Sequence, residues 1–183
     1  MTPENYVELA KCTEPDSEQY KDVIQRYKDS AMFLETFYCL QELATVCQKL
    51  DVYKRGIFYG KPVDLDRPDF EVTEDRVDHA DETFIRLLHA GMGLATEAGE
   101  FVEALIAYIN TGEIDLVNLA EEIGDVQWYS AIGSDATQVP LAQIMYTNIK
   151  KLQKRFGDKF SEKQAIIRDL DSEREILDTM KEE

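Results

Sequence analysis

Two short words in the sequence place pairs of carboxylates at helical spacing. Glu97 and Glu100 stand in EAGE, and Glu122 and Asp125 stand in EIGD. On a wheel of about 100° per residue, each pair flanks one edge of the neighbouring apolar stripe, with the first acid about 60° and the second about 120° around the helix from Leu94 or Leu119. Without a nearby His or Cys, four carboxylates offer only oxygen ligands, the set that suits Mg²⁺ or Mn²⁺. The alternative is two solvated acidic helix edges in an acidic protein.

The apolar residues around these words predict the helix faces that would position the acids. The first stripe consists of Leu94, Ala98, Phe101, Val102, Leu105 and Ile109, and the second of Leu116, Leu119, Ile123 and Val126. The connection near residues 111–114 is short, which favours antiparallel neighbours and puts both acid pairs on the same side. We therefore expect the four carboxylates to converge along one acid seam, with Glu103 pointing outward. Ionised carboxylates at close range repel one another unless a cation offsets them.

These words and their neighbours resemble the ExxE…ExxD signature of the MazG-like nucleotide pyrophosphohydrolases, in the all-α NTP pyrophosphatase superfamily. The matching segments, in the family's usual order, are LLHAGMGLATEAGEF (87–101), NLAEEIGDVQWY (118–129) and NIKKLQKRFGDKFS (148–161). The similarity covers about residues 76–165. It implies an all-α, MazG-like helical bundle, to which this chain adds a long N-terminal helix and a loop insertion.

The resemblance also implies an activity and a set of ligands. The expected reaction is Mg²⁺-dependent hydrolysis of a nucleoside triphosphate of the ribo or deoxy series to the monophosphate and pyrophosphate, acting on the nucleotide pool. By position, Glu97, Glu100, Glu122 and Asp125 would be the catalytic metal ligands, with Mn²⁺ as a possible substitute ion. Related bundles are dimers or tetramers, so we expect a homodimer or homotetramer.

A basic stripe in the third matching segment suits phosphate binding. Asn148, Lys151 and Arg155 are spaced three and four residues apart, so they share one side of a helix and can present donors to a triphosphate. The alternative is a solvated basic face.

Aromatic residues and a histidine near the acids are candidates for contacts with the base or sugar. His89 lies two helical turns before Glu97, where either a substrate contact or a structural packing role is open. Tyr129 falls on the acid side of its wheel and can stack on a base. Trp128 points away and can pack against another helix or subunit.

Cap and break signals place these residues in an all-helical chain of three parts. We predict N-terminal helices and a loop elaboration packed on the core (1–75), a catalytic helical core (76–165) and a charged C-terminal tail (166–183). The expected helices run from Thr2 to about Cys12, over 18–50 as one helix or two nearly continuous ones, from near Arg76 to Ile109, from Asp115 to about Asp135, and from Pro140 to Phe156. Residues 51–75 are predicted to be a loop, and the tail from Ser172 is expected to fray. Lys54, Arg55 and Lys61 form the basic cluster of this loop, either a lid over the phosphates or part of a mobile segment.

Composition limits the partners and the compartment. The net charge of -17 disfavours binding to the backbone of DNA or RNA. Cys12, Cys39 and Cys47 lack metal-binding spacing, and we expect free thiols in a reducing cytosol, with Cys39 and Cys47 buried. No signal-peptide pattern opens the chain and no run reaches ~18 apolar residues, so we predict a cytoplasmic protein without a membrane partner.

Two other classes of protein are open at this point. A di-iron carboxylate bundle needs Glu-x-x-His words, which His79 and His89 do not complete. A non-catalytic helical protein that binds nucleotide or regulates a partner would keep the fold, although the complete set of four acids argues against it.

Overall fold

The computed structural model of the chain describes residues 2–64, 81–157 and 159–181. All regular secondary structure in these segments is helical, which confirms the predicted all-α class. The helices are α1 (Pro3–Lys11), α2 (Ser17–Tyr27), α3 (Ser30–Tyr59), α4 (Glu82–Thr111), α5 (Leu116–Ala136), α6 (Leu141–Phe156), α7 (Glu162–Ile166) and α8 (Leu170–Asp178), followed by a 3₁₀ turn (Thr179–Lys181). Within these segments, no helix has the length and apolar character needed to cross a membrane.

Local side chains fix several helix ends, and the end of α4 and the start of α5 lie near their predicted positions. Asp16 and Gln19 form a reciprocal capping box at the start of α2. The side chains of Asp81 and Asp115 accept backbone N–H groups in the first turns of α4 and α5. Gly112 ends α4 in the left-handed conformation, with φ of 74°, which glycine adopts without a steric penalty.

The predicted loop at 51–75 begins too early in the chain. Residues 51–59 continue α3 to Tyr59, and only residues 60–64 of the described part are non-helical. Gly56 lies inside the helix, where a Cβ would come within 2.3 Å of Val63 Cγ2. Here glycine allows the chain after α3 to pack back on the helix. The predicted restart of helix near Arg76 falls outside the described residues, and α4 begins at Glu82.

Residues 34–137 form one compact unit, which contains most of α3 together with α4 and α5. Gly93 meets Tyr129 and Ala90 approaches Gly133, so α4 and α5 run antiparallel, as predicted. Its buried apolar side chains are Ala44, Cys47, Ala90, Met92, Leu119, Tyr129 and Ala136. All three cysteines are free as predicted; Cys47 is buried, but Cys39 is exposed because it lies about 80° around α3 from Cys47.

Residues 1–33 and 138–183 form the second unit, in which α6 packs against α1, α7 and α8. Ile149 and Phe156 bury the inner face of α6. The expected fraying of the C-terminal segment is wrong, because α8 packs on α6 and buries Glu173. Glu173 is held there by Arg155 and Arg168, a tie that the charged composition of the segment did not reveal.

Candidate metal centre

A glycine allows the close approach of the two helices that carry the acids. A Cβ at Gly93 would lie 2.1 Å from ring carbons of Tyr129, so any larger residue on α4 would push α5 away. Gly99 allows α3 to approach α4 in the same way, since a Cβ at this position would lie 2.3 Å from Cys47 Cβ. Glycines at these two positions of α4 therefore let α5 and α3 approach the segment that contains Glu97.

Three of the four predicted carboxylates converge in this unit. One oxygen atom from each of Glu97, Glu122 and Asp125 lies within 4.8 Å of the other two. Glu97 and Glu122 are only 7% and 6% exposed, whereas Asp125 is exposed. The sequence predicted that acids from the two helices would meet, but it placed Glu97 and Glu122 at the edge of the buried faces rather than within them.

The buried face of each helix is rotated towards its acids relative to the prediction. On α4, Glu97 is buried and Ala98 is exposed. On α5, Glu122 is buried, while Leu116 and Ile123 are 68% and 55% exposed. The helical-wheel prediction assumed that every apolar residue of α4 and α5 faces the core of its own chain. That assumption fails where polar partners hold the acids inside and apolar residues remain on the surface.

Glu122 has one satisfied and one unsatisfied carboxylate oxygen. Asn118 Nδ2 donates to Oε1 at 2.9 Å. Oε2 is buried and has no hydrogen-bond partner among the residues that the structure describes. Burial raises the pKa of Glu122 above its ordinary value, and the charges of Glu100, Glu97 and Asp125 raise it further. A buried carboxylate oxygen without a donor is costly, so this atom is suited to bind a cation.

Glu100 lies beside the converging group but is not part of it. Glu100 is exposed overall. Partial loss of water around its carboxyl group, followed by the charge of Glu97, raises its pKa. It lines a cavity of about 560 Å³ between α3, α4 and α5, along with Asp51, Arg55, Thr96, Glu103 and Glu122. The prediction that Glu103 points outward is wrong, because it is half-buried and accepts a hydrogen bond from Gln48 Nε2 at 3.0 Å.

Lys54 is a member of this site that the sequence reasoning did not place there. Its side chain is 5% exposed, and Nζ lies 2.7 Å from Thr96 Oγ1 and 3.0 Å from Glu97 Oε1. Asp51 Oδ1 is a further partner at 3.2 Å. Burial opposes the charge of Lys54, but hydrogen bonds with Glu97 and Asp51 outweigh it and raise the pKa above its ordinary value. Lys54 is thus a buried ammonium next to Glu97, within the body of α3 rather than in a loop.

A periodic signal in α3 could have identified this position. Ala44, Cys47, Asp51 and Lys54 are spaced three, four and three residues apart, which puts them on one face of a helix. Ala44, Cys47 and Lys54 are all buried. Placing a helix end at residue 50 removed Asp51 and Lys54 from that pattern.

His89 lies in an aromatic cluster next to the acids. Its ring stacks on that of Phe58 with centroids 4.0 Å apart, and it forms T-shaped pairs with Trp128 and Tyr129 at centroid distances of 6.1 and 5.5 Å. Its Nε2 atom is buried without a partner in the described chain, and burial lowers its pKa, as does the charge of Lys54. These contacts are those of a packed histidine, and a substrate contact for His89 stays a prediction. Trp128 is 54% exposed, in line with its predicted direction.

Tyr129 is buried against Gly93 and Lys54. Its ring lies 5.1 Å from Lys54 Nζ, within the range of a cation–π interaction. The ring therefore forms part of the wall next to Lys54, and stacking of Tyr129 on a base stays a prediction.

The predicted basic stripe belongs to the other unit, where two of its members already have partners. Asn148 Nδ2 donates to the Tyr6 hydroxyl at 2.9 Å, and Arg155 donates to both oxygens of Glu173. Lys151 forms no ion pair with a residue in the described ranges. Burial and the charge of Arg155 lower its pKa. The phosphate-binding role of these three residues stays a prediction. Within the described residues, Lys151 is the member of the stripe whose charged group has no ion-pair partner.

Comparisons of the chain with models of protein families, with curated proteins and with solved structures found no match.

Proposed function

We propose that this protein is a Mg²⁺-dependent nucleoside triphosphate pyrophosphohydrolase of the MazG-like type. It would convert a nucleoside triphosphate to the monophosphate and pyrophosphate. The observation that carries the proposal is the convergence of Glu97, Glu122 and Asp125, together with a buried oxygen of Glu122 that has no hydrogen-bond partner in the described part of the chain. The resemblance of the EAGE and EIGD words to the family's signature supplies the reaction.

The donor set fits a hard divalent cation. All three converging groups are carboxylates, and Glu122 Oε2 has no hydrogen-bond partner among the described residues. Lys54 offsets only one of the negative charges in the group. Mg²⁺ bound here would shield the phosphates, polarise the α-phosphoryl group and lower the pKa of an attacking water.

The protein orients the proposed ligands before any ion binds. Lys54 and Thr96 hold Glu97 Oε1, and Asn118 holds Glu122 Oε1, so each buried carboxylate has one oxygen fixed by the protein. Ligands oriented in this way lose little side-chain entropy when a cation arrives. The adjoining cavity of about 560 Å³ lies within the size range of small-molecule sites, roughly 300–1,000 Å³. It offers space for the nucleoside of the substrate.

Product analysis with a panel of ribo- and deoxynucleoside triphosphates tests the activity. With Mg²⁺ we expect equal amounts of monophosphate and pyrophosphate, and none after chelation with EDTA. In ¹⁸O-labelled water the label should enter the monophosphate, since water adds to the α-phosphorus and pyrophosphate leaves. Diphosphate and orthophosphate as products would refute the proposal, and nucleotide binding without turnover would favour the non-catalytic alternative.

We also propose that the protein is a homodimer or homotetramer. On α5, Leu116, Ile123 and Trp128 expose more than half of their surface, and α3 exposes Val46 and Tyr38 to a similar degree. Apolar surface of this kind on two helices is suited to burial between subunits. Light scattering should give two or four times the chain mass of 21.0 kDa. A mass of one chain at working concentration would contradict the proposal.

A further inference from the structure

The ammonium group of Lys54 occupies a position between carboxylates, where a bound metal ion could also lie. Its ammonium lies between Glu97 Oε1 and Asp51 Oδ1, at 3.0 and 3.2 Å, and Thr96 Oγ1 completes the set at 2.7 Å. These three oxygens come from two helices, α3 and α4, and the ammonium joins Asp51 of α3 to Thr96 and Glu97 of α4. An ammonium has three N–H donors, and each has an oxygen neighbour here. Lys54 therefore has no donor left for a substrate phosphate unless it gives up one of these contacts.

The same ammonium acts electrostatically on the converging carboxylates. Glu97 belongs both to the Lys54 contacts and to the group with Glu122 and Asp125. Lys54 contacts Oε1 of Glu97, so its charge lies next to the group that this carboxylate shares with Glu122 and Asp125. In a buried site the charge of Lys54 must repel a divalent ion bound to the same carboxylate, since screening by water is weak there.

We propose that Lys54 is the resident cation of the acid seam, a positioning residue that fixes Glu97 and weakens the binding of free divalent ions. The seam is then held together in the absence of metal, and a divalent ion is retained best when it arrives with an anionic ligand that offsets its charge. This inference rests on the proposed function only in taking the seam to be a cation site. It does not depend on which reaction follows.

Direct binding of Mn²⁺, followed by the electron paramagnetic resonance signal of the free ion, tests the inference without substrate. The variants are Lys54→Met, which removes the charge and keeps the apolar stem, and Lys54→Arg, which keeps the charge. Lys49→Met is the matched control, because Lys49 is an exposed lysine on the same helix. We expect Lys54→Met to bind Mn²⁺ at least about tenfold more tightly than wild type, while Lys54→Arg and Lys49→Met stay within about twofold.

Mn²⁺ binding by Lys54→Met that is no tighter than wild type would overturn the inference, and so would equal tightening in Lys49→Met. The metal-free Lys54→Met variant can be unfolded, because it leaves the buried Glu97 without its cation, whereas Asp51 keeps its ion pair with Arg55. Far-UV circular dichroism then follows its refolding by Mn²⁺. Refolding at ion concentrations below the wild-type Kd supports the inference, and failure to refold overturns it.

A Glu122→Gln variant, measured in the same titration, separates this inference from the proposed function. If Mn²⁺ binding to wild type does not depend on Glu122, the seam is not a cation site and both proposals fail. If binding depends on Glu122 and tightens in Lys54→Met, the inference holds even for a protein that hydrolyses no nucleotide. If nucleotide is hydrolysed but Lys54→Met binds Mn²⁺ no more tightly, only the role of Lys54 is wrong.

Discussion

Both compact units bury glutamates, and Glu173 of one unit and Glu122 of the other have opposite surroundings. Glu173 is 4% exposed and accepts hydrogen bonds from Arg155 at 2.8 and 2.6 Å and from Arg168 at 2.7 Å. These hydrogen bonds, first those from Arg155 and then those from Arg168, lower its pKa to about 2. Glu122 is 6% exposed, yet one of its oxygens has no partner in the described segments, and burial raises its pKa.

The difference separates a structural charge from one that is suited to bind a ligand. Around Glu173 the protein supplies more positive than negative charge, so the ionised carboxylate stabilises the packing of α8 on α6. Around Glu122 the protein supplies mostly negative charge, so ionisation destabilises the metal-free fold. A protein retains such a carboxylate where it has a function, and perturbed groups of this kind cluster at functional sites.

The largest expected effect is on activity, from Glu122→Gln. The substitution keeps the shape and removes one charge, so Mg²⁺ affinity and turnover should fall by about 100-fold or more. The metal-free melting temperature should stay the same or rise, because like-charge repulsion is reduced and the new amide can donate to a neighbouring carboxylate. Turnover with saturating Mg²⁺ and melting without metal are the two measurements.

Glu121→Gln is the matched control for that variant. Glu121 is the exposed neighbour on α5, and its substitution makes the same change in net charge. Glu103, which the sequence places outside the seam, is unsuitable because it lines the same cavity. Near wild-type activity in Glu122→Gln, or an equal loss in Glu121→Gln, would show that the seam is not the catalytic metal site.

Glu173→Gln should have the opposite effect on stability. It leaves Arg155 and Arg168 without their shared carboxylate, and removing one partner of a buried ion pair costs about 3 kcal/mol. We expect the free energy of unfolding in urea to fall by about that amount. Glu175→Gln, at an exposed position of α8, should change it by less than about 0.5 kcal/mol. A Glu173→Gln variant as stable as its control would mean that the ion pairs contribute no net stability.

Acid pH should remove the same contribution in the wild-type protein. The pKa of Glu173 is lowered from 4.5 to about 2 on folding, so its stabilisation is complete above about pH 4.5 and is lost as the pH falls towards 2. The difference in unfolding free energy between wild type and Glu173→Gln should therefore be constant from neutral pH down to about 5 and shrink below that. Urea titrations across this range measure it, and a difference that begins to shrink near neutral pH would assign the effect to another group.

The smallest expected effects are changes in stability at Gly99 of EAGE and Gly124 of EIGD. These substitutions change packing without changing charge. Gly99→Ala places a Cβ 2.3 Å from Cys47 Cβ, which forces α3 away from α4 and should destabilise the fold by about 1–3 kcal/mol. Gly124→Ala meets nothing within 4 Å and should stabilise α5 by about 0.5–1 kcal/mol. Urea unfolding of both variants measures the contrast. A neutral Gly99→Ala would show that α3 can move without cost, and it would weaken the rigid placement of Lys54.

The helices themselves could be predicted because their signals are local. The caps Asp16 and Asp115 and the terminating Gly112 act within one turn, so their effect does not depend on distant contacts. The antiparallel pairing of α4 and α5 follows from their short connection. The meeting of Glu97 with Glu122 could also be derived, since it needs only two helical periodicities and that connection.

The sequence by itself therefore determined the helical class, the approximate ends of α1, α5 and α6, and the meeting of acids from α4 and α5. Only the tertiary structure decided that Glu97 and Glu122 lie within the buried faces, that Lys54 rather than bulk solvent neutralises Glu97, and that Arg155 pairs with Glu173. Helical periodicity ranks faces by apolarity, and it assigns charged residues to the surface. A buried charge is stable only when a partner distant in sequence supplies the opposite charge, and that partner is set by how the helices pack.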